Sequence, residues 1–475
     1  MDISIFKSIS DNIIDKLSNI ENYIKSVWEM PRSPIYENYV ITLDRISDID
    51  IIQKILTHTN IELQIQEWQD LGIVGNMFTI DDIIVDSMLI DKYQHLPIDT
   101  KYFKDLEYEI LSLFGNLDNA LDGWLIKSEN YQALNTILPK FNDKIQTIYI
   151  DPPFNKDKNA DYHYNVKYRN SSWATMLENR LVLAKKFLNE TGSIFIRCDY
   201  NGNWIVRQLM DEIFGYENFR NEIIVSRISK QDPKVTRFNT ATDSLYFFSK
   251  SENPNFKLLF ESLAKAKKER WHAMDSQGQG QPLYFFGYLL YPPKGRHWTY
   301  GQENIKKMEE HGTIRLKCKK CGYIHIYGIW NGCPKCGNVA DIKVEYLLPP
   351  TEVKQVNSNW TDISGYTSNW NFQTENSEIL LKRVIESTSS KGNIIFDFFL
   401  GSGTTTAVAH KLGRRWIGIE MGEHFYNIVI PRMKRVLAYD KSGISKEKDV
   451  KDIYNKNNAG GFFKYCELEQ FEDVL

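Results

Sequence analysis

Over residues 3–28, "ISIFKSISDNIIDKLSNIENYIKSVW", apolar residues recur three and four apart, the period of an amphipathic helix. That rhythm predicts a mainly helical accessory region over residues 1–118. From residue 119 to 219 the pattern becomes strand–helix. "IQTIYI" (145–150) is an apolar, β-branched run of strand length. The helical "SSWATMLENRLVLAKKFLNET", the strand "GSIFIRCD" and the helix "NGNWIVRQLMDEIFG" follow. Residues 220–365 lose this order and are rich in Tyr, Trp, Lys, Gly and Pro. Alternation returns over 366–440: helix "NSEILLKRVIEST", strand "NIIFDFF", a glycine turn, helix "TTTAVAHKLG", strand "RRWIGIE". The tail, 441–475, ends in "GGFFKYCELEQFEDVL", read as a short strand or hairpin. Alternation of this kind predicts a parallel sheet covered by helices. Each half has too few strands to stand alone. The expected fold is therefore one α/β sheet assembled from two chain segments, with 220–365 inserted between them.

Composition adds little: of 475 residues, 42% are hydrophobic and 25% charged, as in an ordinary globular protein. The opening "MDISIFKSIS" lacks the layout of a signal peptide. The longest apolar stretch, "PLYFFGYLLYPP", is too short for a bilayer. A cytoplasmic protein with no membrane partner is expected. Charge changes the picture more. Residues 1–130 hold 10 Lys and Arg against 23 Asp and Glu, whereas 220–320 hold 19 against 10. A basic central segment suits a polyanion, and "QDPKVTR", "AKAKKER" and "RLKCKK" are candidate phosphate contacts. The acidic N-terminal part is expected to pack on the protein or on a partner.

Three places carry chemistry. Asp151 ends the run "IYIDPPFN", where open α/β sheets place their ligands. Pro152 and Pro153 stiffen the backbone and set the direction of its carbonyls, and Phe154 adds a flat apolar face. A second strand ends at Asp397 and Phe398. Gly401-Ser402-Gly403 turn the chain, a helix opens at Thr404, and Glu420 closes the next strand, placed for ribose hydroxyls. Thr406 stands where a dinucleotide fingerprint has its third glycine. A nucleoside without phosphates, such as S-adenosylmethionine, therefore fits better, with Asp397 drawing its cationic end. Thirdly, Cys318 and Cys321 are separated by eleven residues from Cys333 and Cys336. Two C-x-x-C knuckles, each followed by Gly, form a zinc-ribbon signature, and four sulfurs close the shell of a structural Zn²⁺.

"IYIDPPFN" followed downstream by "DFFLGSGTT…GRRWIGIE" resembles the β class of S-adenosylmethionine-dependent DNA amino-methyltransferases. More narrowly, the chain is similar to the modification subunits of type III restriction–modification systems and their solitary relatives. The likeness covers roughly residues 120–475 and includes "WLIKSENYQAL", "RQLMDEIFGYENF" and "YPPKGRHW". It implies a Rossmann-like methyltransferase sheet, with 119–219 as catalytic half, 220–365 as target-recognition insert carrying the ribbon, and 366–440 as cofactor half. It implies Asp151, Pro152, Pro153 and Phe154 as catalytic residues. Asp397, Phe398, Phe399, Gly401, Ser402, Gly403, Thr404 and Glu420 would bind the cofactor.

The implied reaction is transfer of methyl to adenine N6 in double-stranded DNA after base flipping. Relatives acting on cytosine N4 more often have Ser at position 151. Relatives are often dimers, and a restriction subunit would be a separate chain. Three alternatives stay open: cytosine N4 as target, a DNA-binding specificity subunit without turnover, and methylation of RNA or protein. The chain departs from the family at two places. Ser128-Glu129-Asn130 stands where members often have Gly-Asp-Asn, and Asn376-Ser377 where they often have Lys-Pro.

Overall fold

A computed structural model describes residues 3–86, 88–155, 170–227, 236, 238–372 and 374–470. Two compact units divide the chain: Phe260–Val356, and the remainder. The larger unit is built on an eleven-stranded sheet. In chain order its strands are β1 (Pro34–Thr42), β2 (Pro97–Asp99), β3 (Gly123–Lys127), β4 (Ile145–Ile150), β5 (Leu188–Cys198), β6 (Phe219–Ser226), β7 (Thr242–Ser249), β8 (Asn359–Ser364), β9 (Ile394–Asp397), β10 (Arg415–Glu420) and β11 (Phe462–Leu468). Their spatial order is β8-β6-β7-β5-β4-β9-β10-β3-β11-β1-β2.

The six central strands, β5 to β11 in that order, are all mutually parallel. Both flanks turn antiparallel, at β5–β7 and at β11–β1. β4 is buried at every residue and β9 at all but its first. Such strands read as continuous apolar runs, because a parallel sheet is covered on both faces. β4 and β9 begin 249 residues apart, at Ile145 and Ile394, yet Ile148 pairs across to Phe396.

Helices cover the sheet. Asn130–Phe141 and Asn170–Phe187 bury Leu134, Ile137, Leu177 and Leu181 against it. Thr404–Lys411 is buried almost all round, which its small residues permit. Lys411 in that helix is fully buried and pairs with Glu378 at 3.0 Å and Asp440 at 2.7 Å.

The N-terminal region is largely helical, with Ile3–Glu29, Ile49–Leu56 and Ile61–Asp70. It also supplies β1 and β2, which the helical rhythm did not disclose. Part of its acidity faces the rest of this unit: Glu67 and Asp99 both hold Lys434 Nζ, at 2.7 and 2.6 Å. The tail's strand β11 lies inside the sheet, between β3 and β1. Strand β5 begins at Leu188, four residues before the predicted start at Gly192.

The smaller unit has its own core, in which Phe285, Trp298, Ile314, Leu316 and Trp330 are buried. Its four-stranded sheet runs Arg270–Ala273, Ile342–Leu348, Ile314–Cys318, Ile324–His325. Of the basic stretches, "AKAKKER" and "RLKCKK" belong to this unit, while "QDPKVTR", apart from Thr236, falls outside the described residues. No described helix is long and apolar enough to cross a membrane.

Candidate active site

The C-terminal ends of β3, β4, β9 and β10 open on one pocket. Asp151, Pro152, Pro153 and Phe154 line it together with Phe398, Phe399, Gly401, Ser402, Thr404 and Glu420. Strand order alone brings these sequence-distant motifs to one rim, the position where open parallel sheets bind ligands.

Asp151 follows directly on the rigid, buried β4. Its Oδ2 accepts a hydrogen bond from Asn376 Nδ2 at 3.0 Å. Asn376 Oδ1 in turn accepts from the Tyr149 hydroxyl and from Arg197, both at 2.8 Å. With two donors on its oxygen, the amide has only one orientation open to it, and its NH₂ group faces Asp151. Arg197 is fully buried and is itself held by Asp243 at 2.9 Å and by the Gly365 carbonyl at 2.7 Å. Its guanidinium lies 3.7 Å from the Tyr366 ring centroid. Among the described residues, Oδ1 of Asp151 receives no hydrogen bond. Burial pushes the Asp151 carboxyl up to about 6, against the opposing pull of Arg197 and Asn376. Beside it, the Trp173 indole donates to the Pro153 carbonyl at 2.8 Å and braces the double-proline turn.

The glycine turn is built as its sequence requires. Gly401 (φ +56°) and Gly403 (φ +81°) are both left-handed, a region that costs residues with a Cβ. Gly403 caps the helix Thr404–Lys411. Arg432 holds the turn from below, with NH1 2.9 Å from Thr404 Oγ1 and 3.3 Å from the Ser402 carbonyl. Glu420 lines the pocket, but three backbone amides already reach it: Gly401 to Oε2 at 2.8 Å, and Met421 and Gly422 to Oε1 at 2.9 Å each.

Asp397 and Gly403 are not among the lining residues. Asp397 is 2% exposed and accepts from the Thr405 hydroxyl at 2.6 Å and the Phe399 amide at 3.0 Å. It lies under the turn and fixes its shape. Burial pushes its carboxyl up to about 7 despite both donors.

Of the other pocket residues, Arg180, Phe372 and Tyr366 carry no signal in the sequence, whereas Glu129, Asn130 and Asn376 stand out there only as departures from the family pattern. Arg180 pairs with Glu129 and donates to Asn130 Oδ1, and Asn130 donates to the Phe398 carbonyl at 2.8 Å. The three tie β3, the helix Asn170–Phe187 and the turn after β9 together. Phe372, Tyr366 and Asn376 come from the stretch between β8 and the helix Glu378–Thr388. Their only sequence signal is the departure at Asn376-Ser377.

In the smaller unit, the four predicted thiols converge, their sulfurs all within 4.8 Å of one another. Cys318 and Cys336 are 3.6 Å apart and Cys321 and Cys333 3.3 Å. In each knuckle the glycine amide returns to the first cysteine's carbonyl at 2.9 Å. A set of four sulfurs with no nitrogen or oxygen suits a closed tetrahedral ion. Cys198 and Cys466 belong to the larger unit and are buried in its core.

A sheet whose parallel central strands bring an acid-and-proline turn and a glycine turn to one pocket defines an α/β domain with its site at the strand ends. A family model described as DNA methylase, N6_N4_Mtase, matches residues 145–431, and the chain belongs to that family. The family is that of DNA N6-adenine and N4-cytosine methyltransferases, related to restriction–modification Mod subunits and solitary methylases. The chain is similar to the "Probable type III restriction-modification enzyme HindVI Mod subunit" of Haemophilus influenzae, with 27% identity over 74% of this chain and 54% of that protein. It is also similar to the type II methyltransferase M.EcaI of Enterobacter cloacae, with 25% identity over 62% of this chain and 66% of that protein. The chain thus spans about half to two thirds of these relatives. Among solved structures, PvuII DNA methyltransferase (cytosine-N4-specific) aligns with TM-score 0.36 and 15% identity, over 72% of this chain and 96% of that one.

Proposed function

We propose that the chain is a site-specific DNA methyltransferase that uses S-adenosylmethionine to methylate adenine N6 in double-stranded DNA, within a restriction–modification or related defence system. The observation that carries this reading is Asp151. One oxygen is clamped by Asn376, the other has no donor among the described residues, and the carboxylate faces the pocket beside a stiffened carbonyl.

An exocyclic amine is a poor nucleophile because its lone pair is delocalised into the ring. Its two N–H bonds would donate to Asp151 Oδ1 and to the Pro152 carbonyl, which localises that lone pair on nitrogen. Both acceptors are held in advance, so little reorganisation is needed as charge develops. Phe154 supplies a flat face for the extruded base. As nitrogen gains its new bond it becomes acidic, and Asp151 is placed to take the released proton.

S-adenosylmethionine supplies an electrophilic methyl group when bound. The pocket's chemistry suits it: among the described residues, Glu129, Asp151 and Glu420 line it with Arg180 as the sole Arg or Lys, a balance that favours a cation. Phe398 and Phe399 offer apolar faces for a nucleoside base. Glu420 keeps lone pairs for hydroxyls beyond its three amide contacts, and the exposed backbone of Gly401 lets a ligand approach closely.

The smaller unit is read as part of a target-recognition domain, residues 220–365, braced by one structural Zn²⁺ on Cys318, Cys321, Cys333 and Cys336. Its basic residues would meet DNA phosphates.

The test is expression in a host without DNA methylation, followed by single-molecule sequencing, with Asp151→Ala in parallel. N6-methyladenine at one fixed position of a short recurring sequence, absent with the variant, is the expected result. N4-methylcytosine there would correct the base. Unmodified DNA in both strains would remove the reading.

A further inference from the structure

Strand β7 lies between β5 and β6, and its second residue is the buried Asp243. Residues directly opposite each other in antiparallel strands share a face of the sheet, as do residues two apart along a strand. Asp243 pairs with Val225 of β6, and Arg227 lies two residues beyond. Leu245, two residues after Asp243, pairs with Arg197 of β5. The register thus puts one acid and two arginines on the same face. Asp243 Oδ2 accepts from Arg197, Nε at 3.2 Å and NH2 at 2.9 Å. Asp243 Oδ1 accepts from Arg227 NH1 at 3.2 Å. Each oxygen holds a different arginine.

The two arginines lead to the two ends of the acid-and-proline turn. Arg197 donates to Asn376, and Asn376 clamps Asp151. The guanidinium carbon of Arg227 lies 5.5 Å from the ring centroid of Phe154, within reach of a cation–π attraction. Asp199 Oδ2, 3.5 Å from the same Arg227 NH1, gives that arginine a second acid.

The side chains of Arg197, Asp243 and Asp199 are withdrawn from water almost completely. Burying charges costs about what their attraction returns, and an apolar set of the same volume is often as stable. What paired charges add is direction, because each group has a partner at a fixed angle. We propose that Asp243 is a positioning residue that sets both faces of the methylation site at once, aligning Asp151 through Arg197 and Asn376 and the Phe154 ring through Arg227. The proposal rests on the reading of Asp151 and Phe154 as the groups that handle the extruded base.

The test uses the full chain and a DNA duplex carrying the mapped target sequence, with 2-aminopurine in place of the target base where extrusion is read by fluorescence. Arg227→Met cuts the Phe154 arm alone. It should raise KM for DNA roughly 3- to 30-fold and lower the 2-aminopurine emission, with the pH midpoint of turnover in place. Arg227→Lys keeps a cation near the ring and should recover part of both. Asp243→Asn cuts both arms: KM should rise as with Arg227→Met, and kcat should fall roughly 100-fold, the effect of a misplacement near 1 Å. The midpoint separates positioning from plain charge. Burial raises the Asp151 carboxyl most, and of the charges around it Arg197 pulls it down more strongly than Asp243 and Asp199 push it up. Asp397 adds to the push. Losing the Asp243 charge alone would lower the midpoint, whereas releasing Arg197 removes the larger pull and raises it, which is the expected result. Arg227 is partly exposed, so its variants keep the proposal falsifiable even if Asp243→Asn does not fold. Unchanged KM and emission in Arg227→Met, or a lowered midpoint in Asp243→Asn, overturns the proposal while the wild type stays active. A wild type that neither extrudes a base nor transfers methyl overturns the underlying reading, and this proposal with it.

Discussion

The pocket and the cysteine quartet are both convergent sets of polar side chains, yet they are assembled in opposite ways. The quartet comes from one short stretch, Cys318 to Cys336, and its geometry is set by two tight local turns. The pocket draws on β3, β4, β9, β10 and the segment around Asn376, and its key hydrogen bond spans 225 residues of sequence. The ion proposed for the thiols would hold that local site together through its bonds to sulfur. A distributed site is held by the sheet that creates it. The first should fail when the ion is removed, and the second when a buried partner is removed.

The largest expected effect is on the quartet. Structural zinc in small sites contributes on the order of 10 kcal/mol of apparent folding free energy. Stripping the ion with a strong chelator, or Cys321→Ser, should release one zinc per chain by atomic absorption and unfold residues 260–356. Calorimetric S-adenosylmethionine affinity should change by less than about threefold if the two sites are energetically separate.

Next comes Asp151→Ala. Removing a group preorganised for the transition state typically costs about 10²–10³ in rate. Turnover should fall by at least that much while cofactor binding is retained. Loss of cofactor binding to the same degree would show that Asp151 acts by shaping the pocket.

Asn376→Leu probes the clamp. It strands the Tyr149 hydroxyl and Arg197 without their shared acceptor, at about 1–3 kcal/mol of stability, and lets the Asp151 carboxylate rotate. The expected signature is a fall in kcat larger than any change in KM.

A pH profile separates these roles further. Asp151 accepts hydrogen bonds at both oxygens only when ionised, and burial raises its carboxyl to about 6. Turnover should therefore rise with pH through about 6 and level off above it, falling about tenfold per unit below. Because the Asn376 bond favours the carboxylate, Asn376→Leu should move the midpoint to higher pH. A midpoint that stays put would assign it to another group.

The smallest effect is expected from Gly403→Ala. A Cβ there would meet Val429 Cγ1 at 3.4 Å, which is tolerable, but φ stays at +81°. About 1 kcal/mol of stability should be lost, read as a small drop in melting temperature.

Legibility followed the same division. The quartet was readable from spacing, since knuckle geometry depends on residues two and three apart. "IYIDPPFN" and the glycine turn were readable for a related reason: strand propensity, proline stiffness and left-handed glycines act within a few residues. That both ends meet at one rim follows from strand order, which alternation indicates only in outline. Arg197 and Asp243 were not readable, and Asn376 stood out only as a departure from the family pattern, because each is an ordinary residue until β5, β7 and the Asn376 segment are adjacent. Asp397 shows the limit from the other side. Its place at a strand end was visible, but only the folded turn shows its oxygens occupied by Thr405 and Phe399.

By itself, then, the sequence determined the local pieces: which segments become buried parallel strands, where they stop, and which short stretches can hold an ion or turn around a ligand. These are short-range matters of backbone conformation and side-chain type. The tertiary structure alone decided the rest: β11 between β3 and β1, Glu420 tied to three amides, and Asp151 clamped through Asn376 to a buried arginine. Those outcomes depend on which strands become neighbours, an energy shared over the whole sheet and carried by no single stretch of chain.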